Sequence, residues 1–123
     1  MRVAGPGALL ISKAFKLAER EDEVGQRRLF DKDAFDAYRL LRLPVPSLID
    51  GLGRMLDAPS TRAVAETGID HLRRLFASGD AVGARMAGRY VEGVDDPETI
   101  RIAVVALAEE LLTAAVSRPE STL

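Results

Sequence analysis

The sequence predicts an all-α protein, a bundle of about six helices, and three observations lead there. Aromatic residues make up only 5% of the chain, so one of the usual marks of β-strands is weak. No stretch alternates apolar and polar residues for long. Apolar residues instead recur at helical spacing almost everywhere. With 47% apolar residues in a chain of 123, there is material for one domain with a real core and too little for two.

The elements follow in order. A first helix is expected from about residue 7 to about residue 22. Pro6 suits its first turn, where the missing N–H costs nothing. Leu10, Ala14, Leu17 and Ala18 line its apolar face, extended by Ile11 and Phe15. The link "EDEVGQRR" is charged, contains Gly25 and reads as a loop. A second helix starts near Asp31 and stops near Leu43, because Pro44 and Pro46 cannot continue it. Ser47 is a good cap for a third, which runs to about residue 57 despite Gly51 and Gly53. Pro59 punctuates. Ser60 or Thr61 then caps a fourth helix, "TRAVAETGIDHLRRLFA", in which Arg62 and Glu66 are spaced as an i, i+4 pair. "SGD" is a turn, and "AVGARMAGRYVEG" is a fifth helix. Asp96 caps the sixth, with Pro97 at its first position. This last helix is the longest and most apolar segment and is expected at the centre of the bundle. The chain is thus one helical domain over residues 1–123: a hairpin of helices one and two in 1–43, a bundle in 44–117 and a frayed tail in 118–123. There is no internal repeat and no low-complexity tract.

Composition narrows function. The net charge of −2 provides no global field for nucleic acid or an anionic membrane. The absence of Cys excludes disulfides and thiolate metal sites, and fits a cytoplasmic protein. His71 is the single histidine, with no Glu-x-x-His around it, so no metal site is expected. Arg73-Arg74 is too small a basic spot for a nucleic-acid footprint. Met55 and Met86 read as core fillers. No apolar run approaches the roughly 18 residues of a bilayer span. The start "MRVAGPGALLISKAF" has an Arg followed by apolar residues, but Gly5, Pro6 and Gly7 break the run and Lys13 closes it, so a signal peptide is not expected.

One constellation stands out. Of the 17 basic residues only three are Lys, namely Lys13, Lys16 and Lys32, and all fall in the first third of the chain. Lys and Arg differ enough in chemistry for such placement to carry information. On a helical wheel Lys13, Lys16 and Arg20 lie within about 60° of one another, opposite the apolar face. On the second helix Lys32, Asp36 and Arg39 share a polar stripe. Asp33 falls beside Ala37 and Leu40, where a solvated carboxylate is unexpected. In an antiparallel hairpin the two polar stripes flank one groove. The plain reading is that these are solvated faces, with Asp31 or Asp33 as a cap and Lys32–Asp36 as an i, i+4 pair.

"ISKAFKLAER", followed about a dozen residues on by "DKDAFDAYRLLR", resembles the C-terminal helical part of the AbiEii-type nucleotidyltransferases, toxins of type IV toxin–antitoxin systems. In that family a helix carries a Lys and, about two turns on, an Arg, and the next carries a [Lys/Arg]-Asp-x-x-Asp-x-Tyr motif. Lys13, Arg20, Lys32, Asp33, Asp36 and Tyr38 match it in turn. "GPGALLISK" resembles the point where such proteins leave their catalytic core, and the likeness covers residues 5–42. It implies that Lys13 holds the nucleotide triphosphate, supported by Arg20, and that Lys32 orients Asp33, the functional carboxylate. Lys16, Asp36 and Tyr38 would hold the surrounding structure in place.

The family's metal signature is Gly-Ser followed about ten residues later by Asp-x-Asp, whose carboxylates bind Mg²⁺. This sequence contains no Gly-Ser, and its alternating pair Asp31-Lys32-Asp33 sits at an expected helix start. The resemblance therefore implies a portion of such a protein that is inactive alone, separated from its core by truncation, gene decay or a misassigned start. Mg²⁺ and a nucleoside triphosphate enter only where the core is present. The partners implied are that core or a second copy of the chain, and an antitoxin; no membrane is implied. An apolar patch left by the missing half is expected near Leu9, Leu10 and Phe15. The other reading is a stand-alone helical interaction module, and the DNA upstream of Met1 distinguishes the two.

Overall fold

The computed structural model describes residues 5–20, 27–77 and 81–117, together with the backbone but not the side chains of residues 20 and 27–29. Six helices follow one another: α1 Pro6–Arg20, α2 Arg27–Leu41, α3 Val45–Asp57, α4 Arg62–Phe76, α5 Val82–Tyr90 and α6 Pro97–Ser117. Among the described residues there is no strand, and the all-α fold is as the sequence reads. The tail over residues 118–123 and most of the charged link lie outside the described residues.

Leu10, Ile11, Ala14 and Leu17 of α1 are buried, as their spacing requires. Enclosing each of the three large ones stabilises the fold by about 1.5–3 kcal/mol. They meet Leu48 and Leu52 of α3 and Leu72, Leu75 and Phe76 of α4 in one core. The α1–α3 crossing is close because glycines face each other there. A side-chain carbon added at Gly7 would stand 2.5 Å from the Leu48 carbonyl, and one at Gly51 would stand 3.2 Å from the Gly7 Cα. Gly51, which looked like a liability inside α3, is what lets α1 approach.

Several boundaries differ from expectation. Helix α2 begins at Arg27, so Asp31 and Asp33 are interior residues and neither caps it. Helix α3 begins at Val45 with Pro44 as its cap residue, not at Ser47. Pro46 falls in the first turn, where proline gives up only an N–H that has no helical partner, and the helix starts before it instead of after it. Thr61 does stand before α4, but its hydroxyl donates backwards to the Met55 carbonyl at 2.7 Å. Arg62 likewise donates to the Leu56 carbonyl at 2.8 Å instead of turning to Glu66. Both bonds satisfy carbonyls that the end of α3 leaves open.

Helix α6 is capped as expected: Asp96 accepts from the Glu98 N–H at 3.3 Å and the Thr99 hydroxyl at 2.7 Å. Before it, Gly93 takes φ +86°, a conformation that favours glycine, and turns the chain from α5 into α6. Helix α6 packs against α2, α3, α4 and α5, yet it is not enclosed. Ile100, Val104, Ala108, Leu111 and Leu112 are buried, while Ile102 and Val116 on its other side are 55% and 77% exposed. All six helices contribute buried residues to the one core. The apolar patch expected near Leu9, Leu10 and Phe15 is likewise absent: Leu10 is fully buried, Phe15 packs edge-on against His71 with ring centres 5.0 Å apart, and only Leu9 is exposed.

Candidate functional site

Helices α1 and α2 pack against each other, and their ion pairs give the direction. Lys16 reaches Asp33, and Lys13, one turn earlier, reaches Asp33 and Asp36. As α1 runs forward α2 runs back, which is the antiparallel hairpin expected. The polar stripes do not flank an open groove; they meet.

The Lys13 ammonium donates to Asp33 Oδ1 at 3.2 Å and stands 3.6 Å from Asp36 Oδ2. The Lys16 ammonium stands 3.4 Å from Asp33 Oδ2. Lys32 stands 3.5 Å from Asp36 Oδ2. All three lysines of the chain therefore gather on two carboxylates, leaving one positive charge in excess. Asp33 is the enclosed member, with its side chain 11% exposed. A carboxylate so placed needs cations beside it, and each of its oxygens has one.

The roles differ from expectation in three respects. Lys32 does not orient Asp33; it is directed at Asp36 and is the most exposed lysine of the cluster, while Lys13 and Lys16 hold Asp33. Lys16 is thus as close to the central carboxylate as Lys13 is. Tyr38 is buried on another side of α2, where its ring lies 5.6 Å from that of Phe35, and the Arg42 guanidinium sits 5.7 Å from its ring centre. It supports α2 by packing and stands away from the lysines. Arg20 closes α1, and its side chain lies outside the described residues.

The pair Asp31-x-Asp33 does not converge. Two residues apart on a helix, the side chains diverge by about 160°. Asp31 turns instead into the α2–α5 interface and takes a bidentate pair from Arg89, at 2.8 Å and 2.7 Å. These hydrogen bonds hold the Arg89 guanidinium above its ordinary pKa, against the opposing effect of burial. Asp31 shares its helical face with Ala34, Tyr38 and Leu41 (all buried), so the wheel held a signal of a buried carboxylate in need of a cation. With Asp31 committed to Arg89 and Asp33 to lysines, this pair does not fit Mg²⁺. Among the described residues no three His, Asp or Glu side chains group as a metal site.

What the cluster offers is three ammonium groups that stay partly exposed. The outermost pair, Lys32–Asp36, contributes about 0–1 kcal/mol to folding, whereas Lys13 and Lys16 compensate an enclosed carboxylate. A polyphosphate would compete with the carboxylates for the same ammonium groups through charge-assisted hydrogen bonds, which are roughly twice as strong as neutral ones. No family model, no curated protein and no solved structure matches this chain. The fold and the cluster together define no more than an all-α domain in which three lysines and two carboxylates meet between α1 and α2. Among the described residues no helix is long and apolar enough to cross a membrane.

Proposed function

We propose that this domain is the nucleotide-side helical portion of an AbiEii-type nucleotidyltransferase, working in the cytoplasm beside a catalytic core that supplies the metal. The observation that carries the reading is the contact between Lys13 and Asp33. Twenty residues apart in the chain and on different helices, they stand 3.2 Å apart, which supports the reading by bringing the two motif-bearing helices together. Lys13 and Lys16 would take the triphosphate. Asp33 would hold the two ammonium groups together before the nucleotide arrives. The 123 residues contain no Gly-Ser and no convergent Asp-x-Asp, so the metal-dependent step belongs to the core, and this chain alone is expected to transfer nothing.

The test is a fusion of a family core to the N-terminus of this chain, assayed for nucleotide transfer with Mg²⁺. Activity is expected to appear and to depend on this chain's residues. Lys13→Ala should weaken triphosphate affinity. Lys13→Arg should also impair it, because a planar fork does not replace a point charge in a fitted pocket. Asp33→Asn should lower turnover by on the order of tenfold or more, the usual cost of losing a group that orients a ligand-holding side chain. Full activity of the Asp33→Asn fusion would overturn the role given to this carboxylate. A second reading, a stand-alone helical interaction module, is favoured by the exposed apolar side of α6.

A further inference from the structure

The two carboxylates of the lysine cluster are not equivalent. Asp33 is the inner one, 11% exposed at the side chain, and each of its oxygens faces a lysine of α1. Asp36, about one turn further along α2, is the outer one, 26% exposed. One of its oxygens, Oδ2, is shared: it stands 3.6 Å from Lys13 and 3.5 Å from Lys32. Both distances are long beside the ~2.8 Å of a strong charge-assisted hydrogen bond. Lys13 already donates to Asp33, so Asp36 is not needed to hold that ammonium group. Nor does Asp36 need Lys13, because Lys32 stands beside the same oxygen. What Asp36 adds is a second negative charge beside Lys13. Of the two carboxylates, it is the one that an anion arriving from solvent meets.

We infer that Asp36 is a built-in competitor at this site, an anion tethered to α2 that occupies Lys13 until a polyphosphate displaces it. The inference rests on the reading that Lys13 and Lys16 take phosphate. A ligand that touches Lys13 alone exchanges one anion for another, and it meets a rival whose tether gives it a high effective concentration. Lys13 and Lys16 flank the Asp33 carboxylate, one at each oxygen, so a chain of phosphates can touch both ammonium groups at once. A lone carboxylate cannot. Asp36 thereby selects for polyphosphate over singly charged anions. It also weakens the binding of the polyphosphate itself, because the displaced carboxylate stays on its helix and repels the ligand. Without Asp36 the excess of positive charge in the cluster rises from one to two, and Lys13 keeps its bond to Asp33.

Calorimetric titration of the full chain with inorganic triphosphate, without metal and at low salt, tests it. Asp36→Asn and Asp36→Ala should each bind about tenfold more tightly than the wild type, near the lower end of what removing one charge a few ångströms away is worth at a screened surface. Glu109→Gln removes an exposed carboxylate on α6 and should leave the affinity unchanged. In a Lys13→Ala background the gain from Asp36→Asn should shrink to about threefold or less, because the contested ammonium group is gone and only repulsion remains. Circular dichroism confirms that each variant folds. If the wild type binds through Lys13 and both Asp36 variants bind no better, the competitor role falls and the phosphate reading stands. An equal gain from Glu109→Gln, or a gain undiminished without Lys13, would reduce the effect to net charge and overturn the inference as well. If no variant binds triphosphate at millimolar concentration, the inference and the phosphate reading fall together.

Discussion

Replacing Arg89 with Met strands a carboxylate inside the α2–α5 interface. Asp31 is 7% exposed at the side chain, and Arg89 provides both of its hydrogen bonds. Removing one partner of a buried pair generally costs 3–5 kcal/mol, because the other charge stays buried and uncompensated. The two ends of this pair are unequal. Arg89 is 33% exposed and can recover water when Asp31 is removed; Asp31 cannot when Arg89 is removed. Arg89→Met should therefore cost about 3–4 kcal/mol and Asp31→Leu about 2 kcal/mol. In a domain of 123 residues each kcal/mol moves the melting midpoint by about 4 °C, so the shifts should be near 14 °C and 8 °C. The double variant Asp31→Leu/Arg89→Met replaces the pair with apolar groups of similar size and should recover most of the loss. Thermal melts of the four proteins form a double-mutant cycle. Equal losses from the two single variants, or a double variant as unstable as their sum, would falsify this account of the pair.

Two further outcomes follow from the packing and the caps. Gly7→Ala should destabilise the fold by about 1–3 kcal/mol, the usual cost of overpacking, because its new carbon would meet the backbone of α3; denaturant midpoints check this, and an unchanged midpoint counts against the close α1–α3 crossing. The Thr99 hydroxyl, and then the Glu98 N–H, hold the Asp96 carboxyl below its ordinary pKa of 3.8. A lowered native pKa means that the cap's contribution is full above the unfolded value and fades as the pH falls through the native one. Asp96→Ala should therefore lower the melting point at pH 7 and make little difference near pH 2, while Asp96→Asn should show a weaker pH dependence. Equal losses at both pH values would contradict the assignment.

The hairpin, the six helices and the α6 cap were legible because periodicity, proline placement and cap chemistry are local. The start of α3 was less so, since Pro46 fits inside a first turn as well as before one. The lysine cluster was visible as two stripes and a motif, but the wheel could not show that the stripes close on each other. Nor could it show that Lys16, not Lys32, shares Asp33 with Lys13, because that depends on the register of α1 against α2. Arg89 lies 58 residues from Asp31, and only the α2–α5 packing pairs them. The exposure of α6 reversed expectation for a related reason: apolar content states how much surface wants cover, and the fold decides which side receives it.

The claim that matters most is that Lys13 and Lys16 bind nucleotide phosphate. The chain has three lysines, so isotope labelling of lysine side chains gives a spectrum of three signals, all from the cluster. Titration with each nucleoside triphosphate, without metal, should move the Lys13 and Lys16 signals saturably and the Lys32 signal less, and inorganic triphosphate should compete. Lys13→Ala should weaken the binding at least tenfold. Lysine signals that stay in place at millimolar nucleotide, or shifts of equal size and affinity in Lys13→Ala, would contradict it.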